Sequence, residues 1–405
     1  RTTGQHPGGI VVVPRENDIY DFCPVQHPAD DPTSDIITTH FEYHSIDENL
    51  LKLDELGHDD PTIIKHLEEM TGVDAQTIPL NDPDVMSLFT SNKALKYATE
   101  EDDPILGKLG CVAVPEFGTK FVRGMVMDTK PKTFGELVSI SGLSHGTDVW
   151  LGNAQVLVES GKTLNDCICC RDDIMNYLMG KGVEPKLSFT IMEAVRKGKG
   201  LKPEWEEAMT AQNVPDWYIE SCKKIKYMFP KAHAVAYVMM ALRIAWFKVH
   251  RPLAFYSAYF SIRAKGFDAS CMVLGDTVCL DKNRELKGQD RAKTITAAEK
   301  DMMTTLEVVH EFYRRGFTFA PMNVYHSDAT KFLVEENTLI PPFTSLPGVG
   351  EQAALSIVEE RKTGEFLSQE DIVVRCPKVS QSVVDLLGQI GALDGMAKST
   401  QVSLF

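Results

Sequence analysis

The stretch 231–250 constrains the fold of this chain more than any other. Read at 3.6 residues per turn, it is a long helix that is apolar on nearly every side, and such a helix must be buried among others. It also carries Lys231, His233, Arg243 and Lys248, charges that a bilayer core resists. No uninterrupted apolar run of about 18 residues occurs, so the expectation is the central helix of a globular core and no membrane span.

Other helices are expected near 133–141, 163–179, 188–196, 203–212, 216–228 and 294–315, divided by caps and breaks. Asp60-Pro61 and Asp82-Pro83 each place an acidic cap before a proline that can open a helix. Short strands are expected at 10–13, 36–39 and 50–54, the last read as buried, with a loop-like Gly, Asp, Asn and Lys mixture at 266–292. The fold class is therefore mixed α/β and helix-dominated. At 405 residues and 43% hydrophobic side chains, the chain has room for about two to four domains. It opens on Arg1 without a signal-peptide pattern and reads as a piece of a longer protein.

Nine scattered cysteines argue against a secreted disulfide framework, and a cytoplasmic setting is expected. Cys167 and Cys170 form a C-x2-C, yet no second pair follows at zinc spacing. The net charge of −15 is unevenly placed. Residues 30–103 carry nineteen Asp and Glu against four Lys and Arg, whereas residues 181–265 carry fifteen Lys and Arg against seven Asp and Glu. That division reads as a basic face for a polyanion beside an acidic region, or as differently solvated helix surfaces.

Three short segments carry chemistry. Leu346-Pro347-Gly348-Val349-Gly350 runs directly into a helical pattern, and backbone amides at such a helix start can meet a phosphate. This is the setting of a helix-hairpin-helix, or of a Gly-rich loop between packed helices; a second copy is expected at 379–393. Gln401-Val402-Ser403-Leu404-Phe405 offers an amide and two apolar anchors to a partner pocket. Lys52 and Asp54 alternate along one strand and so share a face.

At this point the residues resemble a known family. Arg1-Thr2-Thr3-Gly4-Gln5-His6-Pro7-Gly8-Gly9, Asn49-Leu50-Leu51-Lys52-Leu53-Asp54 and Pro115-Glu116-Phe117-Gly118-Thr119 are similar to the PolC-type DNA polymerase III alpha subunit. So are Ser141-Gly142-Leu143-Ser144-His145-Gly146-Thr147-Asp148 and Phe229-Pro230-Lys231-Ala232-His233-Ala234. The resemblance implies the end of a nucleotidyltransferase-like palm (1–90), helical fingers (91–265), and a duplex-binding region (266–400) with tandem helix-hairpin-helix elements near 346–393. A clamp-binding tail follows at 401–405.

It further implies nucleotidyl transfer to a primer 3′ end by two Mg²⁺ ions held by three palm aspartates, of which Asp54 matches the third. The Asp-x-Asp strand that would supply the other two has no match here, so the chain alone is expected to bind DNA without extending a primer. Lys52 is implied beside the primer end. For the nucleotide, the family reading points to Ser144, His145, Phe229, Lys231 and His233, with Arg171 as a triphosphate clamp or as a salt-bridge partner of Asp172 or Asp173. Lys120, Arg123 and Lys130 are weaker candidates. Arg196, Lys197, Lys199, Gly348 and Gly350 are expected on DNA, and Gln401, Ser403, Leu404 and Phe405 on a sliding clamp. Two rivals remain: a DnaE-type alpha subunit, which should have more chain after its hairpin region, and a non-catalytic DNA- and clamp-binding module.

Overall fold

Gly9–Val12 and Leu51–Asp54 pair antiparallel, Gly9 across from Asp54 and Val12 across from Leu51. They belong to the smaller of the two units into which the computed structural model divides, Arg1–Asp59 and Asp60–Phe405. Residues 8–55, 57–98 and 103–399 are described. The small unit adds the two-residue pair Val25–Gln26 with Thr38–Thr39, and its core is Cys23, Ile46 and Leu50. The strand 51–54 is not the buried one expected: Leu51 is 62% and Leu53 43% exposed.

The large unit is helical and holds three apolar cores. Lys231–His250 lies at its centre, packed on Phe134–His145 and on Pro252–Ala258. Its Ala234, Val238, Ala241, Leu242 and Ala245 enter one core, Ile244 and Phe247 the next. By length and composition this helix could cross a membrane, a property the sequence reading denied to every segment. Its place in two packed cores, with Lys248 fully buried, makes it a core helix instead.

The expected boundary near residue 90 falls inside the large unit, because Val85, Leu88 and Phe89 are buried in the same core as Leu137 and Val238. Asp82 caps the short helix Pro83–Ser87 through the amides of Asp84 and Val85. The stretch 266–292 is not a loop. It forms Ala269–Met272 and the sixteen-residue helix Asp276–Arg291, a mostly polar helix whose buried stripe is Cys279, Asn283 and Leu286. That narrow i, i+4, i+7 stripe suffices to dock it on Ala297–Arg314.

The third core joins Phe343, Leu346, Val349, Ile357, Val384 and Leu387. Here Gly348 takes φ +97, a backbone state costly for other residues, and Gly350 caps Glu351–Glu360 with no side-chain acceptor. Leu346 and Val349 are buried while Pro347, Gly348 and Gly350 face outward. Gln369–Arg375 and Gln381–Gln389 form a second helix pair, closed by Gly391 at φ +79.

Candidate nucleotide and nucleic-acid site

A short extended segment, 225–230, gathers the candidate nucleotide-binding residues of the large unit. The sequence pattern places 225–228 at the end of a helix, but that helix, Asp216–Lys224, stops earlier, where Ile225 takes extended backbone at φ −66, ψ 131. Thr147 and Tyr227 exchange backbone hydrogen bonds, Lys226 N–H also donates to the Thr147 carbonyl, Met228 N–H donates to the Arg196 carbonyl, and Arg171 N–H donates to the Phe229 carbonyl. One strand-like stretch thereby fixes the backbones of three helix ends.

Ser144 and His145, in a segment whose glycines at 142 and 146 suggest a turn, are helical instead. They form the last turn of Phe134–His145, with Gly146 breaking the helix. Gly142, the residue that mimics a turn signal, sits mid-helix because a Cβ there would come within 2.5 Å of the Cys169 carbonyl and the Cys170 sulfur. His145 Nδ1 lies 2.8 Å from the Ser141 carbonyl oxygen, and its Nε2 lies 3.4 Å from Glu116 Oε2. The Ser141 hydroxyl donates to the same Glu116 carboxylate at 3.1 Å.

Glu116 was not singled out from sequence. It holds φ +67, as Ala113 holds φ +61, and two non-glycine residues in that region within four positions mark a constrained loop. This loop, with Ser144, His145, Arg263 and Lys265, lines a cleft of about 520 Å³.

Rings continue from His145 along the central helix. Centroids of His145 and Phe229 are 4.9 Å apart, Phe229 and His233 4.5 Å, and His233 and Tyr237 4.2 Å. Two helix N-termini meet beside this row. Asp172 accepts the Lys231 amide at 2.7 Å, and Asp173 accepts the Cys169 and Cys170 amides and the Lys231 ammonium. The bond to Asp173 lifts Lys231 above the usual lysine range. Neighbouring Cys167, Cys169 and Cys170 are buried thiols, burial pushing Cys167 up to about 11 and Cys170 to about 12.

The structure thus brings Ser144, His145, Arg171, Phe229, Lys231 and His233 together and adds Arg196 and Lys197 through Glu193. Arg171 is 4.0 Å from Asp172 and 3.9 Å from Glu193, distances of loose ion pairing. Lys199 is exposed after Gly198, which at φ +68 sits against the Lys226 carbonyl. Lys120 and Arg123 serve another purpose: both bind Glu307, and Arg123 is buried against the Leu106 carbonyl. Lys130 caps Lys120–Thr129 at φ +48.

In the small unit, Lys52 lies over the Tyr43 ring at 5.0 Å, and Asp54 ends its strand opposite Gly9. Among the described residues no group of three or more His, Cys, Asp or Glu is arranged to hold a metal. Residues 1–7 of the opening motif and Gln401, Ser403, Leu404 and Phe405 lie outside the described residues.

Three family models match the chain. Residues 1–57 match the bacterial DNA polymerase III alpha NTPase domain, 60–214 the alpha subunit finger domain, and 316–402 a helix-hairpin-helix motif. Among curated proteins, DNA polymerase III PolC-type of Clostridium perfringens is 58% identical over 407 residues, that of Bacillus subtilis 55% over 408, and that of Streptococcus mutans 54% over 412. Each match covers 100% of this chain and 28% of the relative. The chain belongs to the PolC-type DNA polymerase III family and spans a little over a quarter of its members' length.

Proposed function

We propose that this chain is the part of a bacterial replicative DNA polymerase that supplies the end of the palm, the fingers and the duplex-binding region. The observation that carries this reading is the convergence on segment 225–230 of phosphate-seeking cations (Arg171, Lys231, Arg196, Lys197) and a row of rings (His145, Phe229, His233). Guanidinium forks and ammonium groups match triphosphate oxygens, and flat rings accept a base. The exposed turn Pro347-Gly348 and the helix start at Gly350 suit the backbone of duplex DNA without reading its sequence.

The reaction is transfer of a deoxynucleoside monophosphate from its triphosphate to a primer 3′-hydroxyl. Two Mg²⁺ ions would activate that hydroxyl and neutralise the leaving pyrophosphate. Asp54 is one ligand, and a single carboxylate cannot hold both ions, so the remaining ligands come from outside this chain. Lys52 neutralises charge near the primer end. Gln401, Ser403, Leu404 and Phe405 dock on a sliding clamp, and the enzyme works in the cytoplasm.

Primer extension by the full-length polymerase carrying Asp54→Asn, with primer–template binding measured in parallel, tests this reading. Lost extension with retained binding supports it; near-normal extension returns Asp54 to the role of a strand end. Extension by the isolated chain would contradict the assignment of the other metal ligands to chain outside it.

A further inference from the structure

Glu193 lies in the last turn of Pro185–Arg196, and three cations from two helices meet its carboxylate. Arg196 closes a two-point fork on it, Nε to Oε1 at 2.5 Å and Nη2 to Oε2 at 2.9 Å. Lys197 Nζ stands 3.3 Å from Oε2. Arg171 arrives from the start of Arg171–Gly180 with its Nη1 3.9 Å from Oε1, within ion-pair reach but longer than a hydrogen bond. The Nε of Arg171 is buried and has no hydrogen-bond partner among the described residues. A shielded guanidinium N–H without an acceptor is unfavourable and marks a place where an acceptor is due.

Three like charges this close repel one another, and long flexible side chains would swing apart without an anchor. Glu193 is that anchor. Arg196 above all holds its carboxyl below the usual glutamate range, so it stays an anion. The fork uses Nε and Nη2 of Arg196 and leaves Nη1 for another acceptor. Stability alone does not account for the arrangement. Glu193 and Arg196 are each about a quarter exposed, and ion pairs of that kind add little to folding.

We propose that Glu193 is a positioning residue for the incoming nucleotide, keeping Arg171 beside Arg196 and Lys197 as one polyphosphate-binding face. This rests on the reading of Arg171 as a triphosphate contact. Glu193 itself touches no ligand; it acts through the cations it holds. Removing its charge therefore has two opposite consequences. The triphosphate meets a less ordered Arg171, while DNA phosphates meet a face with one negative charge fewer.

The experiment compares wild type, Glu193→Gln and Arg171→Ala in the full-length polymerase, by single-nucleotide incorporation against dNTP concentration, primer–template anisotropy and thermal unfolding. For Glu193→Gln the expected result is a KM for dNTP raised about tenfold and a kcat within about threefold, with primer–template affinity unchanged or tighter. An unchanged KM in Glu193→Gln beside a raised KM in Arg171→Ala overturns the inference alone. An unchanged KM in Arg171→Ala removes the triphosphate reading beneath it. Weaker DNA binding together with a lowered melting temperature in Glu193→Gln makes Glu193 a purely structural residue and also overturns the inference.

Discussion

The two units divide their duties unequally. Arg1–Asp59 has Cys23, Ile46 and Leu50 for a core, and its strand register puts Ile10 beside Leu53 and Val12 beside Leu51, an apolar face left exposed. Two paired strands alone are marginal in water. Asp60–Phe405 buries three cores and can also afford buried charge, including Lys248, Glu311 and His310. The small unit carries Asp54, on which the proposed chemistry turns, with little to stabilise it. The large unit stabilises itself and carries the proposed nucleotide and DNA contacts. Rate and stability should therefore respond to different residues.

Asp54→Asn is the sharpest way to break that division. Loss of the proposed metal carboxylate should lower primer extension by the full-length enzyme on the order of a thousandfold. The unfolding midpoint of the large unit should not move, as read by fluorescence of Trp150, Trp205, Trp217 and Trp246 in the isolated chain. A shift in that midpoint would mean the units do not separate rate from stability as argued.

Lys248→Met attacks the other side. The buried ammonium donates to the carbonyls of Gly110 and Val112 and pairs with Glu311 at 2.8 Å. Burial draws its pKa down, and Glu311 opposes that. Removing the cation leaves a carboxylate buried beside Tyr256, which should cost about 3–5 kcal/mol in urea unfolding. Lys248→Met with Glu311→Leu should recover part of that loss. A small cost for the single variant would mean the pair is not a support of this core.

His310 gives a pH-dependent version of the same test. Its two ring nitrogens each lie 2.6 Å from a carboxylate oxygen, of Asp276 and of Asp103. Burial alone would lower its pKa, yet the two carboxylates raise it to about 9. The stability this provides is complete below the ordinary value of 6.5 and is lost as pH rises through about 9. For Asp103, burial would raise the pKa, but His310 and the amides of Leu106 and Ile105 hold it at about 2. Its share is present above 3.8 and fades as pH falls through about 2. Between neutral pH and about pH 10 the large unit should lose about 3 kcal/mol that a His310→Gln variant does not lose. Parallel pH profiles for the two proteins would refute the pairing.

The central helix was legible because twenty residues of periodic apolar pattern leave little choice, and so was the cap at Asp82. The helix Asp276–Arg291 was not, because its buried stripe of Cys279, Asn283 and Leu286 includes a polar residue and is lost among charged neighbours. In the site, cations and rings were legible by type. Their organisers were not: Glu116, Asp173 and Glu193 are ordinary carboxylates until folding sets them beside His145, Lys231 and Arg171. The spacing of Glu193 three and four residues before Arg196 and Lys197 was an available signal. The exposed strand face at Leu51 and Leu53 misled because an apolar strand reads as buried whatever lies across from it.

The smallest effect expected lies at Gly348 and tests whether the large unit's last region binds through backbone. At φ +97 an alanine is strained, and its Cβ would come 2.9 Å from Leu386 Cδ1, the mobile end of a side chain. Leu386 can give way, so Gly348→Ala should cost only about 1 kcal/mol of stability. Moving the turn also re-aims the amides before Glu351–Glu360, and duplex affinity should drop about three- to tenfold with little change in its salt slope, since no cation is lost. A lost affinity that high salt erases would place the DNA contact on side-chain charge. A lost affinity that persists across salt would place it on the geometry of this turn, the one part of the large unit where backbone, not side chain, is expected to meet the ligand.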